Sequence, residues 1–207
     1  MSDPPAPAPR RRAPWRAALI AAALLTTALG VWRAQLFQVS APGEAPRALA
    51  ARPPGERPAA RFDVMLRAVP VGMRRLAPGD GVLLVHYWAP WERHGATQAA
   101  LLDSLRRAPG LAGLDVVVVA FDPFPGVARY VARRRLGVPV LLDHGRALRD
   151  VLPCPSIPYT YVLDRAGRVA VAQPGEVDWF ASGTRRALEA LLAEPPAPAP
   201  GTPAPAS

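Results

Sequence analysis

Apolar residues fall along the chain in blocks whose length and spacing separate strands from helices. Val82–Tyr87 and Leu114–Asp122 are nearly continuous apolar runs, the pattern of strands buried on both faces. Phe62, Val64 and Leu66 alternate with polar neighbours and predict a half-buried strand over Phe62–Arg67. Ala99, Leu102 and Leu105 recur at helical spacing between about Arg93 and Arg107, and Pro109-Gly110 ends that helix. A Pro/Gly turn over residues 122–126 leads into a second predicted helix, about Val127 to Leu136. Val138–Asp143 reads as a short strand, Ala147–Leu152 as one or two helical turns, and Thr160–Ala172 as a hairpin turning at Asp164–Gly167. A last helix is predicted over about Trp179–Leu192. Strands and helices that alternate, then a hairpin and a helix, predict an α/β fold with a central mixed sheet flanked by helices.

Outside this block the composition changes. The 27 prolines crowd into residues 4–14, 42–58 and 195–205, which are poor in the apolar residues a core needs. The expected organisation is a basic tail over 1–16, a membrane-spanning signal-anchor over 17–39, a Pro/Ala/Arg linker over 40–60, one domain over 61–194 and a Pro/Ala tail over 195–207. The uncharged run Ala17–Trp32 follows Arg10, Arg11, Arg12 and Arg16. As a helix it spans about 24 Å, short of a hydrocarbon core of about 30 Å. Arg16 and Arg33 can snorkel, and Leu36, Phe37 and Val39 extend the apolar stretch. The positive flank predicts a cytoplasmic N-terminus with the domain exported, periplasmic in a bacterial inner membrane. A cleaved signal peptide ending near Ala28-Leu29-Gly30 is the rival, and it leaves a secreted domain.

Charge narrows the partners. Of the formal +9, the first 60 residues hold eight arginines against three acids, and the remainder 17 against 13. No dense basic stripe crosses the domain, so nucleic acid is not expected as a partner. Membrane contact is expected through the N-terminal helix, and protein contact with exported or membrane proteins. Cys154 is the single cysteine and cannot close an intramolecular disulfide. Three scattered histidines beside one thiol give no metal-ligand spacing, and no cofactor or metal is implied.

Two motifs carry a family resemblance. V-L-L-V-H-Y-W-A-P-W, ending at Trp91, resembles the strand and W-A-x-W turn of the thioredoxin superfamily, closest to its membrane-tethered TlpA/ResA-like branch. Ser156–Val169 resembles that family's G-x-P-T-T-F-x-I-D-x-x-G-x-I and places Pro158 at its cis-proline. The resemblance covers about Phe62–Leu192 and implies a thioredoxin-like fold. It also places Glu92 and Gly95 at the two positions of the family's Cys-x-x-Cys, so the chain reads as a degenerate member. In active members a helix N-terminus stabilises the first thiolate and the second thiol resolves the mixed disulfide. A carboxylate and a glycine do neither.

Residue by residue, Glu92 suits the helix start electrostatically; a catalytic or ligand-binding role with His94 is the alternative, although the two are not a facing pair along a helix. Cys154 reads as a small buried hydrophobe, against an exposed thiol beside the Pro158 loop that could pair with another protein. His86 reads as a core histidine with a local partner and His144 as a turn residue. Arg133, Arg134 and Arg135 read as a solvated face, the alternative being contact with anionic lipid or protein. The resemblance implies a peptide-docking groove lined by Trp88, Trp91, Ile157, Pro158 and Tyr159. The alternative for the aromatic pair places Trp88 in the core with Trp91 covering the turn. The resulting expectation is a membrane-anchored, exported protein-binding or assembly module that has lost its dithiol chemistry. The competing class is a thiol-disulfide oxidoreductase working through Cys154 alone or with a partner's thiol.

Overall fold

The computed structural model describes residues 45–79, 81–92 and 95–195, with Thr26 and the pair Gln38–Val39. Most of the expected spanning segment, Arg93, His94 and the C-terminal tail lie outside the described residues. No helix among the described residues is long and apolar enough to cross a membrane. The last two residues assigned to the spanning segment are extended: Gln38–Val39 (β1) pairs in parallel with Ser156–Ile157 (β7).

The main sheet has seven strands. They are β2 (Val64–Val69), β3 (Met73–Leu76), β4 (Val82–Tyr87), β5 (Leu114–Ala120), β6 (Val140–Leu142), β8 (Tyr159–Leu163) and β9 (Val169–Pro174). Their spatial order is β3-β2-β6-β5-β4-β8-β9. β5 runs parallel to β4 and β6. β2 is antiparallel to β3 and β6, and β8 to β4 and β9. All six residues of β4 are buried. Successive side chains point to opposite faces, so both faces of this central strand are covered, as its unbroken apolar run requires.

Three helices complete the domain: α1 (Gly95–Arg106), α2 (Phe124–Arg134) and α3 (Ser182–Ala193). Leu102 and Leu105 of α1, Val127 and Val131 of α2, and Leu188 and Leu191 of α3 join one hydrophobic core with Leu84, Val116 and Val118. Burying a side chain of that size contributes about 2 kcal/mol. α2 ends where Arg135 turns left-handed at φ 51°, its N–H bonding back to Ala132.

Two expectations change. β3 was not foreseen as a strand, because Met73 and Arg75 face solvent and only Leu76 is buried. Residues 45–60, expected as a linker, are packed on the domain. Arg47 N–H donates to Glu176 O (3.1 Å), Arg52 N–H to Ala170 O (2.8 Å) and Ala60 N–H to Gly167 O (2.9 Å). Leu49 is buried, and its N–H donates to Thr184 Oγ1 (3.0 Å). The side chain of Gln173 accepts from Ala50 N–H and donates to Ala48 O. Arg57 is buried too, its Nη1 3.0 Å from Asp164 Oδ2 and 2.7 Å from Glu194 Oε2. Backbone pairing and one buried ion pair hold a segment whose composition carries little hydrophobic signal.

Candidate functional site

β4 delivers its chain end to the turn that opens α1. Trp88 N–H donates to Val119 O on β5 (2.9 Å), which fixes where the strand stops. The turn closes through Glu92 N–H to Ala89 O and Gly95 N–H to Glu92 O, both 3.2 Å. Glu92 therefore sits just before the helix and Gly95 begins it.

Gly95 is locked as glycine. A Cβ built there would overlap the indole Nε1 of Trp88 and lie 2.6 Å from its Cδ1 and 2.9 Å from Ala89 O. Real Cβ atoms do not approach that closely, so any side chain at residue 95, a cysteine included, requires Trp88 or the turn to move. Trp88 has nowhere easy to go. It is fully buried, with its ring 4.8 Å from that of Tyr130. It belongs to the core, and its expected place in a peptide groove is corrected accordingly.

Trp91 has the opposite character. It is 53% exposed, and its indole N–H reaches Asp122 Oδ1 (3.1 Å) in the loop after β5. His144 holds the same loop, its Nε2 2.8 Å from Asp122 O. Beside Trp91 lies a groove of about 740 Å³ lined by Pro90, Gly126, Arg129, Tyr130, Ala132 and Arg133.

The second motif lies at β7 and β8. The Ile157–Pro158 peptide is cis. Ile157 and Pro158 are buried, and Tyr159 is half-buried with its ring 5.0 Å from Tyr161. The strand preceding Pro158 pairs with Gln38–Val39 of the same chain. Of the five residues expected to line the groove, Trp91 and Tyr159 present surface, while Trp88, Ile157 and Pro158 do not.

Cys154 is 1% exposed and its Sγ contacts Ser156 O at 3.1 Å. Burial pushes its thiol up to about 12, Arg149 opposing only weakly. The two residues before it are pinned, by Tyr87 OH to Leu152 O (2.9 Å) and Tyr161 OH to Pro153 O (2.6 Å). This rules out the exposed-thiol alternative. A nucleophilic cysteine needs the thiolate, which burial here disfavours.

His86 is fully buried. Its Nδ1 lies 3.0 Å from Thr160 Oγ1 and its ring meets Trp179 edge-on at 5.6 Å. Burial lowers its pKa to about 3, so the imidazole is neutral. Trp179 Nε1 donates to Gln98 Oε1, and Gln98 Nε2 to Val177 O. This chain of partners is structural. Among the described residues no group of His, Cys, Asp and Glu is arranged to hold a metal ion.

With this geometry in place, the likeness to solved proteins is clear at the level of fold: the chain has the thioredoxin-like fold of thiol:disulfide oxidoreductases. It is similar to a thiol:disulfide interchange protein, a thioredoxin family protein, from Chlorobium tepidum (16% identity, 66% of this chain and 97% of that one, TM-score 0.56). It is similar to MTB DsbF (17%, 65% and 98%, TM-score 0.55) and to StoA from Bacillus subtilis (15%, 65% and 98%, TM-score 0.53). No family model matches the chain, and no curated protein matches it significantly.

Proposed function

We propose that this chain is a thioredoxin-like domain without dithiol chemistry, anchored in a membrane by its N-terminal segment, exported, and acting as a protein-binding or assembly module through the surface that carries Trp91 and Tyr159. The observation that carries this reading is the overlap between a Cβ at residue 95 and Trp88. It supports a turn repacked around glycine, in which the second thiol of a Cys-x-x-Cys has no room. Glu92 at the helix start and the buried, unactivated Cys154 point the same way. The basic flank and apolar run before Trp32 support the anchor.

The test is insulin reduction by the full chain, its Cys154→Ser variant and the double variant Glu92→Cys/Gly95→Cys. The expected result is no turnover by the first two. The double variant is expected to unfold at lower temperature and to remain inactive. Thiol-dependent turnover that Cys154→Ser abolishes would overturn the reading in favour of an oxidoreductase. A fully active, equally stable double variant would remove the steric observation behind it.

A further inference from the structure

We propose that the groove between the Trp91 turn and α2 binds acidic polypeptide segments, Arg129 and Arg133 receiving carboxylates while Trp91 covers an adjoining apolar group. The inference deepens, and rests on, the protein-binding reading, for which it names the chemistry of the partner.

Gly126, Arg129, Tyr130 and Arg133 follow one another at i, i+3, i+4 and i+7, so they share one face of α2. That face looks onto the groove whose other wall is Pro90 and the exposed Trp91. Arg129 and Arg133 are exposed, one helical turn apart, and among the described residues no ion pair reaches either. Two like charges at this spacing repel. Several arginines elsewhere are matched: Arg57 with Asp164, Arg74 with Asp115, Arg75 with Asp63, Arg107 with Asp103 and Arg185 with Glu189. Exposed Arg61 and Arg186 also stand without an ion pair among the described residues, but they do not line this groove.

Tyr130 floors the groove at 8% exposure, with the Arg134 side chain against its buried hydroxyl. Arg134, whose guanidinium carbon lies 5.9 Å from the Tyr130 ring, adds positive potential. The acids nearby are Glu92, which influences the Tyr130 hydroxyl, and Asp122, which holds the Trp91 indole. Three arginines outweigh them.

The shape favours a polypeptide over a lipid surface. An open groove of about 740 Å³ beside one aromatic wall has room for a few side chains of an extended segment. A bilayer instead meets a convex face. Arginine with an aromatic residue is also the pairing enriched at interface hot spots, and guanidinium binds carboxylates with two parallel hydrogen bonds.

The experiment measures binding of fluorescein-labelled polyglutamate to the full chain at low salt, with labelled polyglutamine and phosphatidylglycerol vesicles as separate arms. Arg129→Ala/Arg133→Ala is expected to weaken polyglutamate binding by about tenfold. Gly126→Met should weaken it as well without altering charge, because beyond its chain neighbours and its own helix backbone nothing lies within 4 Å of a Cβ at residue 126 and the added side chain can enter the groove. Arg61→Ala/Arg186→Ala removes the same charge from exposed positions elsewhere and should leave affinity within about twofold. Equal loss in that control pair would overturn the groove, showing bulk attraction by a basic chain. Vesicle binding that needs Arg129 and Arg133, without polyglutamate binding, would overturn the acidic segment in favour of lipid. If polyglutamate fails to bind while a natural partner's capture still needs Trp91, the partner chemistry falls and the protein-binding reading stands.

Discussion

Arginine does opposite things in two parts of this molecule. Arg57, in the segment before β2, is 9% exposed and held by Asp164 at the β8–β9 turn and by Glu194 after α3. Its Nε also donates to Arg52 O, and Arg168 Nε shares the same Asp164 oxygen. Arg129 and Arg133 stand beside Trp91 with no such partners among the described residues. A buried guanidinium must be matched, since leaving its partner alone in a low-dielectric interior is costly. An exposed one is solvated and can remain available. The difference separates charge used to close the fold from charge left for a second molecule.

The largest expected effect tests the closed side. Arg57→Ala should cost about 3 kcal/mol, because it strands Asp164, 1% exposed at its side chain, with only Arg168 and backbone donors. Urea unfolding at neutral pH reads this as a lower midpoint. A loss below about 1 kcal/mol would place the pair among ordinary surface bridges and dissolve the contrast.

Acid should then discriminate between the two regions. Burial holds His86 at about 3, well below an ordinary imidazole near 6.5. Below that ordinary value the unfolded chain takes up a proton that folded His86 refuses. Stability should therefore fall by about 1.4 kcal/mol per pH unit as pH drops from about 6.5 towards the folded value. Asp164 acts at lower pH. Burial alone would raise its carboxyl, but N–H donors from Arg168 and Ala166 and the Arg57 guanidinium outweigh burial and hold it below the usual carboxylate range. Its contribution is present above the unfolded carboxylate value of about 3.9 and is lost as pH falls through the folded one. Denaturant unfolding across pH 7 to 4 should give a shallower acid slope for His86→Gln than for the unaltered chain. Arg129→Ala/Arg133→Ala should leave that slope unchanged; a changed slope would mean that the open face is coupled to the core.

What could be read in advance follows from the physical signal each region emits. β4 and β5 announce themselves because burial on both faces demands unbroken apolar runs, and the β8–β9 turn because Gly167 adopts φ 70° after an Asp164 that accepts from its own turn. The two motifs placed Glu92, Gly95 and Pro158 on their elements. Residues 45–60 were invisible as part of the domain, since backbone hydrogen bonds leave no trace in composition and arginine is ordinarily read as surface. Trp88 and Trp91, three residues apart, look alike in sequence, yet the first is sealed against Tyr130 and the second exposed. The groove was unreadable for a related reason. Arg133, Arg134 and Arg135 read as a solvated helix face, Arg129 carried no signal of its own, and only the fold sets Pro90 and Trp91 opposite Arg129 and Arg133.

The smallest effect is the sharpest probe of the open side. If Arg129 and Arg133 serve no structural role, removing either should not weaken the fold. Their mutual repulsion across one helical turn costs about 0.2–0.5 kcal/mol, and alanine is at least as good a helix former as arginine. Arg133→Ala should therefore raise stability by a few tenths of a kcal/mol at low salt. The gain should shrink at about 1 M salt, where the Debye length of about 3 Å is shorter than the separation of the two groups. Paired thermal melts at the two salt concentrations measure this. A loss of more than about 1 kcal/mol would show that Arg133 holds α2 in place as Arg57 holds its own segment, and the groove would then lose the unsatisfied charge that distinguishes it.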